Sequence, residues 1–176
     1  MSNGETRLNW PEGHSPEESV FHAVNELQIA AQPEVVWAWI CRPDLWGTYY
    51  SNARFIKHLG GPWPKLELGS RFRWFSFGAF VTSEVIEYEP SQRIAWSAKV
   101  IGGRGHHGWL LEPRDGGSFV RTEETQKGWG ITLAKPVLRP TMVRVHQRWL
   151  EGLAKVAAEG APPEPAQPAQ PAQPAH

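Results

Sequence analysis

The chain has 176 residues, with 18 basic and 18 acidic side chains and a single cysteine. A formally neutral chain exerts no general pull on nucleic acid or on an acidic membrane, although a local basic patch stays open. The lone Cys41 excludes an internal disulfide and fits a reducing compartment. With no apolar leader and no run of roughly 20 apolar residues, a cytoplasmic protein without membrane insertion is expected.

Residues 1–17 read as a flexible N-terminal extension, 18–159 as one domain, and 160–176 as a disordered Ala-Gln-Pro tail. Proline removes backbone donors, and that tail has almost nothing apolar to bury. The β-formers of SVFHAVNELQIAA, 19–31, predict a first strand. Pro33 and Glu34 suit the first turn of a helix, and Val36, Trp37 and Ile40 give it one apolar face. Pro43 ends it, and DLWGTYY predicts a second short helix. Strand candidates follow in ARFIKHL, LELGSRFRWFSF, AFVTSEVIEYEP and RIAWSAKVI. GHHGWLLEP and SFVRTEETQ come next, joined by RDGG, where Asp115–Gly116 is a strong hairpin signal. Last, LAKPVLRPTMVRVHQRWLEGLAKVAAEG, 133–160, predicts a helix: from Pro140 onward Val143, His146, Gln147, Leu150, Leu153 and Ala154 keep a helical spacing that Gly160 stops.

Strands joined by short loops make an antiparallel sheet, and the last helix is the only large apolar element left to cover it. The expected fold class is therefore α+β. A curved sheet of six to seven strands wraps a long C-terminal helix, with two short helices after the first strand. Ten tryptophans supply large rings, which build a core and can also wall a cavity.

IAAQPEVVWAWICRPDLWGTYY, LELGSRFRW, VIEYEPSQRIAW, HGWLLEPRDGGSFVRTEETQKG and the terminal amphipathic helix together resemble the START-like (SRPBCC) superfamily. Its members include polyketide cyclase/dehydrase-type proteins and birch-pollen-allergen-type lipid binders. The resemblance spans about Val20 to Ala158. It implies a helix-grip fold around a hydrophobic cavity for a lipid, polyketide or aromatic metabolite. Some members cyclise or dehydrate their ligand, others carry it, and co-chaperone and toxin-like branches act as protein–protein adaptors. Fold alone does not choose among these.

Relatives carry His-x-Trp-x-Leu and, after the turn, Val-x-His-x-Glu-x-Phe. His107, Trp109 and Leu111 match the first half and Val120 and Glu124 the second. Thr122 and Gln126 depart from it and make that end of the cavity more polar. With this phase His106 and Glu123 face away. His107 and Glu124 then form a candidate acid/base couple, the alternative being that they satisfy each other at the rim. Trp96, beside Ile94 and Ala98, reads as a cavity wall. Trp46 and Tyr49 read as the cap of the entrance. Glu84 shares a period-two face with Phe80, Thr82, Ile86 and Tyr88. On the strand before it, Trp74 and Arg73 occupy opposite faces, and Arg73 becomes an anion or carbonyl anchor if its face turns inward. The histidines are scattered without metal-ligand spacing, so neither metal nor cofactor is expected. GGRG joins two strands rather than opening a helix, and no Gly-x-Ser-x-Gly occurs. The expected partner is a hydrophobic small molecule, not nucleic acid, and the oligomeric state is left open.

Overall fold

The computed structural model describes residues 7–165. In chain order it contains a 3₁₀ turn (Pro16–Glu18), β1 (Phe21–Ile29), α1 (Pro33–Ile40), α2 (Pro43–Tyr49) and β2 (Arg54–Gly60). Then come β3 (Arg71–Ser76), β4 (Ala79–Glu89), β5 (Arg93–Val100), β6 (Gly103–Arg114), β7 (Gly117–Lys127) and α3 (Trp129–Glu159). The seven strands form one antiparallel sheet in the order β1-β7-β6-β5-β4-β3-β2. This is the expected helix-grip arrangement of a curved sheet around a long helix. No helix among the described residues is long and apolar enough to cross a membrane.

Strict alternation fixes which face looks inward, because a one-residue slip would turn every side chain over. On β1 the buried set is Phe21, Ala23, Asn25 and Ile29. On β3 it is Phe72, Trp74 and Ser76, and on β4 Val81, Ser83 and Val85. Between this face and α3 lies a core of large rings. Trp46 packs on Trp96 at 5.4 Å, and Trp149 of α3 stacks on Tyr50 at 4.2 Å. Gly152 lets α3 approach α2, since a Cβ there would lie 2.2 Å from the Tyr49 carbonyl oxygen.

Three segments differ from the sequence expectations. Residues 7–18 lie across the outer face of the sheet instead of forming a free extension. Leu8 is buried against Ala95 and Leu110, and Trp10 packs edge-on against His22 and His106. Gly108 makes this seat, because a Cβ there would meet the Leu8 side chain at 2.3 Å. At the other end, Gly160 and Pro163 dock on the short helices through Trp39 Nε1 (2.7 Å to the Gly160 oxygen) and Arg42 (2.6 Å to the Pro163 oxygen). The rest of the tail, 166–176, falls outside the described residues. Finally, α3 begins at Trp129, one turn before the expected Leu133, and runs through Pro136 and Pro140. Each proline deprives the carbonyl four residues earlier of its partner. Those carbonyls belong to Thr132 and Pro136, both exposed residues.

Candidate functional site

A cavity of about 210 Å³ lies between the concave face of the sheet and the first turns of α3. Trp74, Val81, Trp96, Ala98 and Val100 form the sheet wall, and Ile131, Leu138 and Met142 the helix wall. One side of this apolar space is polar, where His107, Glu124 and Gln126 reach it. Strand register builds that polar side directly. Trp96 pairs with His107, His107 with Glu124, and Glu124 with Ala23, a row across β5, β6, β7 and β1. Ala23 is buried beside Ile131 and Met142 of α3, and the same helix brings His146 to Glu124.

Glu124 is the hub. Its Oε2 lies 3.4 Å from His107 Nδ1 and 3.2 Å from His146 Nε2, and Gln126 Nε2 donates to its Oε1. His107 Nε2 is 2.8 Å from Thr122 Oγ1, which is itself 3.2 Å from the Gly108 carbonyl oxygen. The carboxylate can only accept, so the neutral His107 ring carries its proton on Nδ1 and presents a lone pair at Nε2. The Thr122 hydroxyl has one proton, and the shorter contact directs it to that lone pair.

Burial, opposed by Glu124, pushes the His107 imidazole down to about 3, so the ring is neutral near neutral pH. For Glu124, burial favours the neutral acid. Attraction to His107 and hydrogen bonds from His146 and Gln126 outweigh it and hold the carboxyl below its usual range. The cavity thus meets one oriented carboxylate beside the His107 imidazole, while His146 touches that carboxylate without lining the cavity. His146 Nδ1 and, on the wall, Trp96 Nε1 have no partner among the described residues.

Donor atoms of His107, Glu124 and His146 lie within 4.8 Å of one another, and these are ligand types a transition metal accepts. The two rings are nearly parallel, at 19° and 4.9 Å between centroids, and both turn a nitrogen toward the same Glu124 oxygen. The fold therefore gathers histidines that the sequence shows as scattered. As arranged, the cluster is a hydrogen-bonded chain.

Of the residues singled out by sequence, His107, Glu124, Gln126, Trp96 and Trp74 line the cavity. Thr122 and Trp109 stand one layer behind. Thr122 tethers His107, and Trp109 stacks on it at 5.7 Å. His106 and Glu123 face away as expected, and Glu123 pairs with His22 at 2.7 Å. Four placements need correction. Trp46 is a buried core ring whose Nε1 donates to the Ile40 oxygen, and it does not cap an entrance. Tyr49 packs on Trp39, away from the cavity. Glu84 and Arg73 are exposed on the outer face, where Arg73 lies over Phe80 at 4.7 Å. The reason is strand phase. Phe80 and Ile86 are half-exposed apolar residues on the outer face, so apolar periodicity on β4 marks both faces. His146 is the member that strand reasoning missed. Its helical phase already turned it inward, but nothing local ties it to Glu124.

The architecture is found in solved structures. A hypothetical protein from Helicobacter pylori matches with a TM-score of 0.80 at 25% identity, covering 89% of this chain and 99% of that one. Ara h 8.0201 matches with a TM-score of 0.61 at 12% identity over 79% of this chain and 98% of that one. DynU16, a putative protein in the dynemicin biosynthetic locus, gives a TM-score of 0.59 at 16% identity over 80% of this chain and 48% of that one. No curated protein matches the sequence significantly. The family described as polyketide cyclase / dehydrase and lipid transport matches residues 21–158, nearly the whole folded unit, and the chain belongs to that family.

Proposed function

We propose that the protein binds a small hydrophobic or aromatic metabolite inside the cavity, with one polar group of the ligand set against Glu124, His107 and Gln126. The observation that carries this reading is the cavity itself, a ring-walled space of about 210 Å³ with a single polar side. An apolar cavity of roughly 150 Å³ in another protein suffices to bind benzene. The space here suits a one- or two-ring compound or a short acyl chain. Family membership supports a hydrophobic ligand, and the buried Cys41 fits the reducing cytoplasm as the setting. Native mass spectrometry of the purified protein tests the proposal together with titration of an environment-sensitive aromatic probe. A co-purified small molecule or saturable probe binding supports it. No bound mass and no saturable binding across a panel of apolar probes would overturn it.

A second reading has its own observation. His107 and Glu124 both reach the cavity, 3.4 Å apart, and Glu124 is oriented by three donors. A carboxylate held this way can remove a proton beside a ketone carbonyl, the step that begins aldol ring closure in a cyclase. Deuterium exchange at the activated methylene of an aromatic β-diketone, followed by NMR, reads this step. Wild-type protein accelerates the exchange and Glu124→Gln does not. Equal rates in both, with the diketone bound by both, leave carriage as the function.

A further inference from the structure

The mouth of the cavity lies at one end of the molecule, between the β3–β4 turn, the β5–β6 turn and the first turns of α3. Phe77, Ile101, Gly130, Ala134 and Leu138 from these three segments all line the cavity. Around that mouth the surface is unusually apolar. Ile101 is 98% exposed, Trp129 71%, Leu133 76% and Val137 73%. Trp129, Leu133 and Val137 are spaced by four residues, so they form one stripe along the outer side of α3. The stripe continues into the β5–β6 turn, because Trp129 packs on Gly102 and Gly130 N–H donates to the Gly102 oxygen at 2.9 Å.

Charge is just as lopsided. From Lys127 to Leu150 the chain has no acidic residue and carries Lys127, Lys135, Arg139, Arg144 and Arg148, although the whole chain is formally neutral. The adjoining turns, 76–82 and 97–106, add Lys99 and Arg104 and again no acid. Lys99, Arg104, Lys135 and Arg139 are all exposed. The basic residues never fall in a run. They are dispersed among apolar ones, as in an interfacial helix with tryptophan at the headgroup level.

We propose that this end of the protein docks on an anionic lipid bilayer, with the Trp129–Leu133–Val137 stripe and Ile101 dipping into the interface and the surrounding lysines and arginines on the headgroups. The occupant follows from charge complementarity. A second copy would set the same positive ends against each other, whereas an anionic surface meets both the stripe and its cationic rim. Continuity with the cavity mouth gives the contact a use, since an apolar compound can pass between bilayer and cavity without crossing water. The docking does not depend on which ligand the cavity holds, so it stands or falls separately from the reading above.

Flotation of the full chain with large unilamellar vesicles tests this, comparing phosphatidylcholine alone with phosphatidylcholine containing phosphatidylglycerol. The expected result is co-flotation with the anionic vesicles at low salt and its loss at high salt or without phosphatidylglycerol. Lys135→Glu should weaken partitioning by about thirty-fold, and Arg139→Glu likewise. Leu133→Ser/Val137→Ser should also release the protein, and its fold is safe because both side chains point into solvent. Lys155→Glu, the same change elsewhere on α3, should leave partitioning intact. Failure to float with anionic vesicles at low salt would overturn the proposal. Equal weakening by Lys155→Glu and Lys135→Glu would do the same. So would a concentration-dependent dimer that Leu133→Ser/Val137→Ser dissolves while vesicles capture nothing, since the stripe would then belong to a second copy.

Discussion

Acid should destabilise this protein well above the pH at which carboxylates titrate, because two fully covered histidines resist protonation. His107, among Trp96, Trp109, Trp149 and the Glu124–His146 pair, is pushed down to about 3, chiefly by burial. His106, on the opposite face beneath Trp10 and His14, is pushed down to about 4, again chiefly by burial. In the unfolded chain each ring takes its proton near 6.5. Between that value and the folded-state value the unfolded state binds more protons, so stability falls as pH falls. At one pKa unit per 1.36 kcal/mol, lowering the pH from about 7 to about 5 costs roughly 2 kcal/mol per ring and about 4 kcal/mol together. Half-buried His14 shifts the same way and adds less. Urea unfolding followed by tryptophan fluorescence at the two pH values measures the loss. His106→Leu should halve it. That change also removes two ring nitrogens without partners among the described residues, so stability at neutral pH should hold or rise. A free energy of unfolding that stays level over this range, or a slope untouched by His106→Leu, would refute the reasoning.

Three further substitutions probe separate parts of the molecule. Gly152→Ala drives a Cβ into the Tyr49 carbonyl oxygen, and backbone cannot swing aside, so thermal unfolding should show a loss of about 1–3 kcal/mol. Unchanged stability would mean that α3 and α2 do not meet so closely. Thr122→Val removes the hydroxyl that holds His107 Nε2 and leaves that buried nitrogen unpaired. The expected cost in denaturant unfolding is again about 1–3 kcal/mol, and a neutral result would break the hydrogen-bond chain drawn here. Ala98→Phe places a ring in the cavity, so binding of an aromatic probe should fall at least about tenfold while the circular dichroism spectrum is retained. Undiminished binding would move the ligand site elsewhere.

The β6–β7 hairpin was fully legible in the sequence because two independent signals agree on it. Asp115–Gly116 fixes the turn, and alternation then sets His107 opposite Glu124. The inward phase of β3 and β4 was harder to read, since Phe75, Phe80 and Ile86 put apolar side chains on the outer face as well. That ambiguity kept Arg73 and Glu84 among the candidate ligand contacts, although both are exposed on the outer face. Long-range pairings were out of reach for a different reason. His146 meets Glu124 only because α3 packs back onto β1 and β7. Leu8 is buried only because Gly108, a hundred residues away, lacks a side chain. Neither relation leaves a local period. The cationic, apolar end is a further case. Neutral overall charge conceals it, and its lysines and arginines are spaced along a helix and two turns that only the fold gathers.

A carboxylate flanked by two imidazoles is a poor way to stabilise an apolar interior. Replacing such a buried network by apolar groups of similar volume is commonly neutral or favourable. Stability therefore does not account for Glu124, His107 and His146. The nearby residues that would solvate them are spent on orienting them, with Gln126 on one carboxylate oxygen and Thr122 on the far side of His107. Among the described residues one unmatched donor belongs to the cavity wall, the indole N–H of Trp96. A hydrocarbon would leave that indole N–H unpaired and the Glu124 carboxylate facing a dry space, whereas a compound with a hydroxyl or enol at one end would offer both a partner. Sites built around such groups discriminate far more strongly than apolar pockets that only gauge size. The mouth is apolar, and the polar residues stand on the inner strands β6 and β7. The ligand's polar group should therefore lie deepest and its apolar body toward the opening, the orientation in which a molecule leaving a bilayer would arrive headgroup first.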